Sequence, residues 1–198
     1  MGSRSDLKAL PSPDRFRKRV LRQGYFIALA LANLGLRILP GQRARIALLR
    51  LVGQDVSWNT YLHRGVRIMS LRPGSLRIRA RAIINHSVLL DNRGGLVIMR
   101  DCAISSGAAI FTYGHDHRQR LRPTRARPVF LGPGSFIYSR AIICPGVRLR
   151  AGTVLAPGAV LTLSTSPRSF WGGNPARCIK ENYAADAENI PYRYALAP

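Results

Sequence analysis

A chain of 198 residues is long enough for one domain with a sizeable apolar core, and positive charge dominates its composition. The formal net charge is +22, from 31 basic and 9 acidic residues, and all but three of the basic residues are arginines. Such a surplus favours a polyanionic partner such as a phosphorylated cofactor, an anionic lipid or an acidic polysaccharide, although an arginine-rich solvated surface explains it equally well. No recognisable nucleic-acid-binding module accompanies the charge, which argues against a nucleic-acid partner.

The first 50 residues form a basic arm, in which eleven basic residues against two acidic ones give a net charge of +9. The arm contains an uncharged apolar run from Tyr25 to Leu36, too short for the roughly 20 residues that span a bilayer, and residues 43–52 predict a short amphipathic helix. Three interpretations stay open: helices packed against one end of the next domain, an arm lying in a membrane interface, or a signal peptide. The last is least favoured because the charged leader is long and no small-x-small cleavage site follows.

A six-residue period organises the chain from about residue 51 to residue 165. Large aliphatic residues recur at this spacing in three in-phase blocks, and the residue four places after each is nearly always small. The aliphatic positions are Ile78, Ile84, Leu90, Ile98, Ile104, Ile110, Leu131, Ile137, Ile143, Leu149, Leu155 and Leu161, and the small positions include Gly94, Cys102, Gly114, Ala141, Thr153 and Ala159. In a six-residue period, the position four places after one aliphatic residue is two places before the next. Because positions i and i−2 of a strand face the same way, each hexad predicts one short strand with a large and a small residue pointing inward.

Turn residues fall in the same register. The pairs Pro133-Gly134, Pro145-Gly146 and Pro157-Gly158 all stand two and three residues after an aliphatic position, where proline fixes φ and glycine accepts a positive φ. The arginines at 79, 81, 100, 140, 148 and 150 all take predicted outward positions. Three hexads therefore close one triangular coil, and stacked coils predict a mainly β fold, a parallel β-helix. A β-sandwich is disfavoured because it shows period two within each strand and irregular turn spacing.

One long excursion interrupts the repeat between Ile110 and Leu131, where about 15 residues more than a hexad intervene, and a smaller one contains Gly94-Gly95. Loops that leave a rigid repeat commonly carry binding and chemistry. The sequence thus predicts a helical N-terminal arm (1–50), a hexapeptide-repeat β-helix with an active-site loop (51–165, loop 111–130), and a C-terminal closing loop and tail (166–198). The three cysteines are odd in number and far apart, which fits a reducing, cytoplasmic compartment.

The hexads, the loop segment Gly114-His115-Asp116 and the closing segment Gly172-Gly173-Asn174-Pro175-Ala176-Arg177-Cys178-Ile179 together resemble the hexapeptide-repeat acyltransferases. The resemblance covers about residues 50–180 and is strongest to the galactoside, maltose and colanic-acid-type O-acetyltransferases. It implies a left-handed parallel β-helix, a homotrimer with active sites between subunits, acetyl-CoA as co-substrate without a metal, and a sugar or polysaccharide precursor as acceptor.

The resemblance also implies a role for individual residues. His115 matches the general base, Asn85 the residue that orients the acceptor hydroxyl, and Ser139 the backbone N–H that stabilises the oxyanion. Acceptor-binding positions are Asn85, His86, Asp116 and His117. Cofactor-binding positions are Phe136, Ser139, Ala141, Ala159, Gly173, Asn174, Arg177 and Lys180.

Some positions depart from the family pattern. Leu163 stands where a phosphate-contacting basic residue is usual, and Arg168 is a candidate substitute. Residues bulkier than the usual glycine follow most of the aliphatic positions, Tyr138 among them, so a longer acyl donor stays open, as does the choice between oxygen and nitrogen as the acylated atom.

Two alternatives are carried beside the acetyltransferase. A carbonic-anhydrase-like enzyme needs three histidines converging on zinc, and His115, His117 and His86 are the available set. A non-catalytic β-helix scaffold is the other, although the retained histidine and closing loop disfavour it. The basic arm adds the expectation of peripheral association with an anionic membrane through residues 1–50.

Overall fold

The structure, a computed structural model, describes residues 13–116 and 119–183; the predicted tail beyond residue 183 and the first 12 residues of the arm lie outside this range. Two helices come first, α1 (Pro13–Ile38) and α2 (Gln42–Leu51). They pack against each other and against the first coil of a parallel β-solenoid of about six turns. The described part of the arm therefore packs against one end of the solenoid.

Three sheets form the faces of the solenoid, and each complete coil contributes one short strand to each face. The pairing is parallel except between the last two strands of sheet B, which are antiparallel. Sheet A contains β1 (Asp55–Val56), β4 (Leu76–Ile78), β7 (Leu96–Ile98), β12 (Val129–Leu131) and β15 (Arg148–Leu149). Sheet B contains β2 (Tyr61–Leu62), β5 (Ile83–Ile84), β8 (Ala103–Ile104), β13 (Phe136–Ile137), β16 (Val154–Leu155), β18 (Phe170–Gly173) and β19 (Ala176–Lys180). Sheet C contains β3 (Arg67–Ile68), β6 (Leu89–Leu90), β9 (Ala109–Ile110), β14 (Ile142–Ile143) and β17 (Val160–Leu161).

The hexad residues stack in register and form the core. Ile84 pairs with Ile104, which pairs with Ile137, and each of these side chains is fully buried. Cys102 fills a small inward position as predicted, and its burial raises the pKa of the thiol to about 12. The six arginines predicted to face outward are all exposed. Because each coil is too thin to bury its own aliphatic side chains, the stack as a whole supplies the core.

Two small positions of the hexad pattern are wrong. Gly94 lies in a turn, and Leu96 takes the inward place two residues before Ile98, because the small excursion shifts the register. Gly114 lies outside the coil altogether, in the long excursion. That excursion folds as an antiparallel hairpin of β10 (Tyr113–His115) and β11 (Thr124–Ala126). The hairpin leaves the solenoid after sheet C and returns to it at sheet A.

Candidate active site

His115 is held near the free end of this hairpin by backbone pairing with Thr124. Its ring is exposed, and Nδ1 lies 3.0 Å from the carbonyl oxygen of Arg122. A carbonyl oxygen only accepts hydrogen bonds, so Nδ1 must carry the proton and donate it. The neutral ring therefore keeps its free lone pair on Nε2, which is the arrangement that a general base requires.

A buried polar network fixes the root of the hairpin. The Thr112 hydroxyl donates to the backbone carbonyl of Asp91 at 2.6 Å and accepts the Gly94 N–H at 2.8 Å. The Asp91 carboxylate, fully buried, binds Arg93 through two hydrogen bonds of 2.8 and 3.0 Å, and this pairing raises the pKa of Arg93. The Arg93 guanidinium in turn lies 4.7 Å from the centre of the Tyr113 ring. The network thus reaches from the solenoid interior to two residues before His115.

Asp116 follows His115 and forms an ion pair with Arg125, with 3.0 Å between Oδ2 and Nε. Its backbone N–H donates to the Pro123 carbonyl, which closes the end of the hairpin. His117, the next predicted acceptor-binding residue, lies outside the described residues. The carboxylate of Asp116 is thus already engaged by a cation of the opposite strand.

A second group of predicted residues lies on another edge of the solenoid, between sheets B and C. Asn85 follows β5 and its side chain makes no hydrogen bond with another described residue. Two coils further, Ser139 follows β13 at the same edge. Here an open groove is lined by Ser106, Ser139, Arg140, Pro157 and Gly158. Within the described chain, the Ser139 N–H donates to no other residue, so it is available to a ligand in the groove.

The alanines predicted to line the pantetheine groove lie just inside this edge. Ala141 and Ala159 are buried, and their carbonyls accept hydrogen bonds from neighbouring coils, at 2.9 Å from the Ala109 N–H and at 2.8 Å from the Ile142 N–H. The groove surface itself comes from the residues before them, Arg140 and Gly158. Phe136 is half-buried beside it, with its ring centre 4.6 Å from that of Tyr138.

A further groove lies beneath the hairpin, at the edge between sheets C and A. Its basic residues are Arg127 and Arg148, and Leu163 contributes to its floor. Leu163 is the position where the family's basic residue is missing. Arg127 donates its backbone N–H to Thr112 and accepts that of Gly146, so it is tied to both the hairpin root and the coil below. These two arginines supply positive charge at this edge where Leu163 does not.

The predicted closing loop is a hairpin of β18 and β19 with a cis peptide bond between Asn174 and Pro175. Gly173, Asn174, Arg177 and Lys180 are all exposed. The Lys180 ammonium lies 5.9 Å from the Tyr183 ring centre. Arg168, the candidate substitute for Leu163, holds the chain after this hairpin, because its carbonyl accepts the Tyr183 N–H at 2.7 Å.

Sequence analysis missed His63, which the structure places beside a predicted acceptor residue. The His63 and His86 rings lie 4.6 Å apart, and His63 is one coil before Asn85 on the same edge. Partial burial, followed by the positive charges of His86 and Arg45, lowers the pKa of His63. The hexad register itself could have found this residue, since it follows Leu62 as Asn85 follows Ile84.

The structure does not bring all the predicted residues together within one chain. His115 leaves from the edge between sheets C and A, whereas Asn85 and Ser139 lie at the edge between sheets B and C. No hydrogen bond joins His115 to either residue among the described positions. Within residues 13–116 and 119–183, no group of three or more histidine, cysteine or acidic side chains is placed to hold a metal ion.

Comparison with known proteins gives a consistent result. The chain is 28% identical over 139 residues to WcaF of Escherichia coli, a presumed acetyltransferase of colanic acid biosynthesis, an alignment that covers 70% of this chain and 75% of WcaF. It is 30% identical to a chloramphenicol acetyltransferase of Agrobacterium fabrum, over 50% of this chain and 58% of that protein. No family model matches the chain.

The chain is thus similar in sequence to proteins named as acetyltransferases, and its fold is that of the hexapeptide-repeat acetyltransferases. Solved structures agree on the fold: a hexapeptide-repeat acetyltransferase of Vibrio cholerae in complex with acetyl-CoA superposes with a TM-score of 0.71 at 21% identity, over 80% of this chain and 87% of the other. A galactoside acetyltransferase in complex with CoA gives 0.70 at 19% identity, over 84% of each chain. The predicted fold class, a mainly β left-handed parallel β-helix, is confirmed.

Proposed function

We propose that this protein is an O-acetyltransferase that moves the acetyl group of acetyl-CoA to a hydroxyl of a sugar or polysaccharide precursor. The observation that carries the proposal is the orientation of His115. Its Nδ1 is committed to the Arg122 carbonyl at 3.0 Å, which leaves Nε2 as an exposed base. The proposal agrees with the class of the chain's relatives, which are named as acetyltransferases.

Each step of the proposed transfer has a residue of this chain assigned to it. His115 Nε2 removes the proton of the acceptor hydroxyl as the oxygen attacks the thioester carbonyl. Asn85 orients that hydroxyl, and the Ser139 N–H donates to the carbonyl oxygen as negative charge develops on it. The C–S bond then breaks, and the imidazolium of His115 returns the proton to the departing thiolate, so no covalent enzyme intermediate is needed.

The same proposal assigns the remaining groups to binding. Asp116, His86 and His117 contact the acceptor. The groove lined by Ser139 and Gly158 holds the pantetheine arm, with Phe136, Ala141 and Ala159 shaping its wall. Gly173 and Asn174 close over the co-substrate. Arg177 and Lys180 bind its phosphates, because exposed cations of this kind pair well with phosphate oxygens.

We propose further that the active enzyme is a homotrimer with each site between two subunits. The support is the separation of the two groups of residues on different edges of the solenoid. A neighbouring subunit that sets its edge between sheets B and C against the hairpin of the first would unite His115 with Asn85 and Ser139. A cyclic arrangement of three chains then completes three identical sites.

The subunit arrangement can be tested by mixing two inactive variants. His115→Ala and Asn85→Ala each disable every site when reassembled alone. After joint dissociation and reassembly, about a quarter of the sites combine an intact His115 with an intact Asn85 from different chains, so the mixture is expected to recover about a quarter of the activity. Activity that stays at the level of the separate variants contradicts a shared site.

The reaction itself is tested with acetyl-CoA and a panel of nucleotide-activated and lipid-linked sugars. Calorimetry measures binding of acetyl-CoA, and mass spectrometry identifies acetylated products and the acetylated atom. Failure to bind acetyl-CoA removes the whole proposal. Binding of acetyl-CoA without formation of an O-acetylated sugar rules out only the proposed acceptor.

A cytoplasmic location is part of the proposal, because Cys102, Cys144 and Cys178 are all free thiols, as expected in a reducing compartment.

A further inference from the structure

Helix α1 presents an apolar surface on two opposite sides. One side packs on the solenoid: Ala32 and Leu36 are buried, and the Asn33 side chain both donates to the Ile68 carbonyl and accepts its N–H, at 3.0 and 2.9 Å. The Tyr25 hydroxyl adds contacts to Ser70 and the Leu71 N–H. These contacts fix which side of the helix faces away from the protein.

The side that faces away is also apolar, and no described residue covers it. Its large side chains are spaced three, four or seven residues apart, so they form one stripe along the helix. The stripe consists of Val20, Ile27, Leu31, Leu34 and Ile38, which are 49–63% exposed. Beside the stripe, Phe26 is 58% exposed.

Charge is absent from the middle of α1 and concentrated at its ends. Residues 23–36 contain no charged side chain, although a helix on a protein surface normally has polar or charged residues on its outer side. Five basic residues occupy positions 15–22, and Arg37 follows the apolar segment. An apolar stripe bounded by cations is the composition of a helix that lies in the headgroup region of a membrane.

We propose that α1 docks the protein on a bilayer that contains anionic lipid, with this stripe in the interface and the flanking cations on the headgroups. A membrane is favoured over a second copy of the chain because of the flanking charges. Parallel pairing of two copies would bring together the five basic residues of each helix, and antiparallel pairing would set them against Arg37. The proposed attachment is peripheral. No described helix is long and apolar enough to cross a bilayer.

The test is flotation of the full chain with vesicles of phosphatidylcholine alone or with phosphatidylglycerol. The wild type is expected to float with the anionic vesicles, and less so at high salt. Leu31→Glu should weaken this binding at least about tenfold, because it places a charge in the stripe and removes buried apolar surface. The matched control is Leu121→Glu, which makes the same change at a side chain that is 90% exposed in the loop 111–130.

Leu31→Gln distinguishes the effect of the apolar stripe from the effect of net charge. This variant is expected to weaken vesicle binding while leaving the total charge unchanged. Wild-type protein that does not float with anionic vesicles, or a Leu31→Glu variant that floats as well as the control, overturns the proposal. So does a lipid-free wild type whose mass in sedimentation exceeds that of Leu31→Glu, because the stripe is then an interface between copies. Acetyl-CoA binding, measured on the same variants, keeps this result distinct from the proposed catalysis.

Discussion

The coils and the hairpin of this protein are stabilised in different ways. In the coils, position in the repeat determines burial: the side chain of Ile104 is covered above and below by its equivalents Ile84 and Ile137. The hairpin has no such repetition, and its strand β11 is exposed throughout. Specific polar contacts such as the Asp116–Arg125 ion pair hold it instead. The comparison predicts that substitutions in the coil change stability and that substitutions at the hairpin end change chemistry.

The largest expected effect is on the reaction, at His115. His115→Ala should lower turnover by roughly 10²–10⁴-fold, because the variant has no base to take the acceptor proton. Its thermal unfolding midpoint and its affinity for acetyl-CoA should stay close to those of the wild type, since the ring is exposed and makes a single hydrogen bond to the described residues.

Added imidazole is the control for this prediction, because a free base of the same chemistry should restore part of the activity of His115→Ala. Steady-state rates with and without imidazole measure the rescue. Undiminished turnover in the variant without imidazole would remove His115 from the mechanism.

The opposite result is expected for a coil substitution. Ile104→Ala removes a fully buried side chain from the middle of the stack, so unfolding should become easier by about 2–5 kcal/mol. Turnover below the unfolding midpoint should be unchanged. Urea denaturation measures the first quantity and an acetyl-transfer assay the second. Arg100→Gln, an exposed change between β7 and β8 of the same coil, should alter neither. A loss of activity without a loss of stability in Ile104→Ala would contradict the assignment of stability to the coils and chemistry to the hairpin.

The sequence was sufficient for the coil because a single constraint repeats. A residue six places from a buried aliphatic must also be buried, so Ile104, Cys102 and the outward arginines could all be placed in advance. The failures occur where the repeat is interrupted. Gly114 was assigned to the interior by extrapolating the period into a segment that instead pairs with Arg125 in a hairpin.

The site was less predictable, because it depends on contacts without a period. That His115 donates from Nδ1 to Arg122 follows from the closure of the hairpin, and nothing in the spacing of the two residues specifies it. His63, in contrast, does follow the period, because it is in register with Asn85. The sequence analysis missed it because the first coils repeat too irregularly in sequence to define the register there.

Thr112 belongs to both the coil and the hairpin. It is fully buried, yet it holds the root of the hairpin through hydrogen bonds to Asp91 and Gly94. Thr112→Val keeps the shape and leaves the Gly94 N–H without its acceptor, so unfolding should become easier by about 1–3 kcal/mol. Turnover should fall as well, through displacement of His115, and Thr112→Ser should restore both. If Thr112→Val lowered the free energy of unfolding but left turnover unchanged, the root of the hairpin would not position His115.

The smallest expected effect concerns His63, a half-buried histidine of the first coil. Its pKa is lowered in the folded chain, first by burial and then by the charges of His86 and Arg45. The unfolded chain therefore binds the proton more readily, and stability should fall as the pH drops below the ordinary histidine value of about 6.5. The half-buried ring is partly screened by water, so the loss should stay within a fraction of a kcal/mol. Urea denaturation at several pH values between neutral and mildly acidic measures the free energy of unfolding. This free energy should change less steeply with pH for His63→Gln than for the wild type. An identical slope would show that the pairing of the two imidazoles has no effect on the pH dependence of the coil.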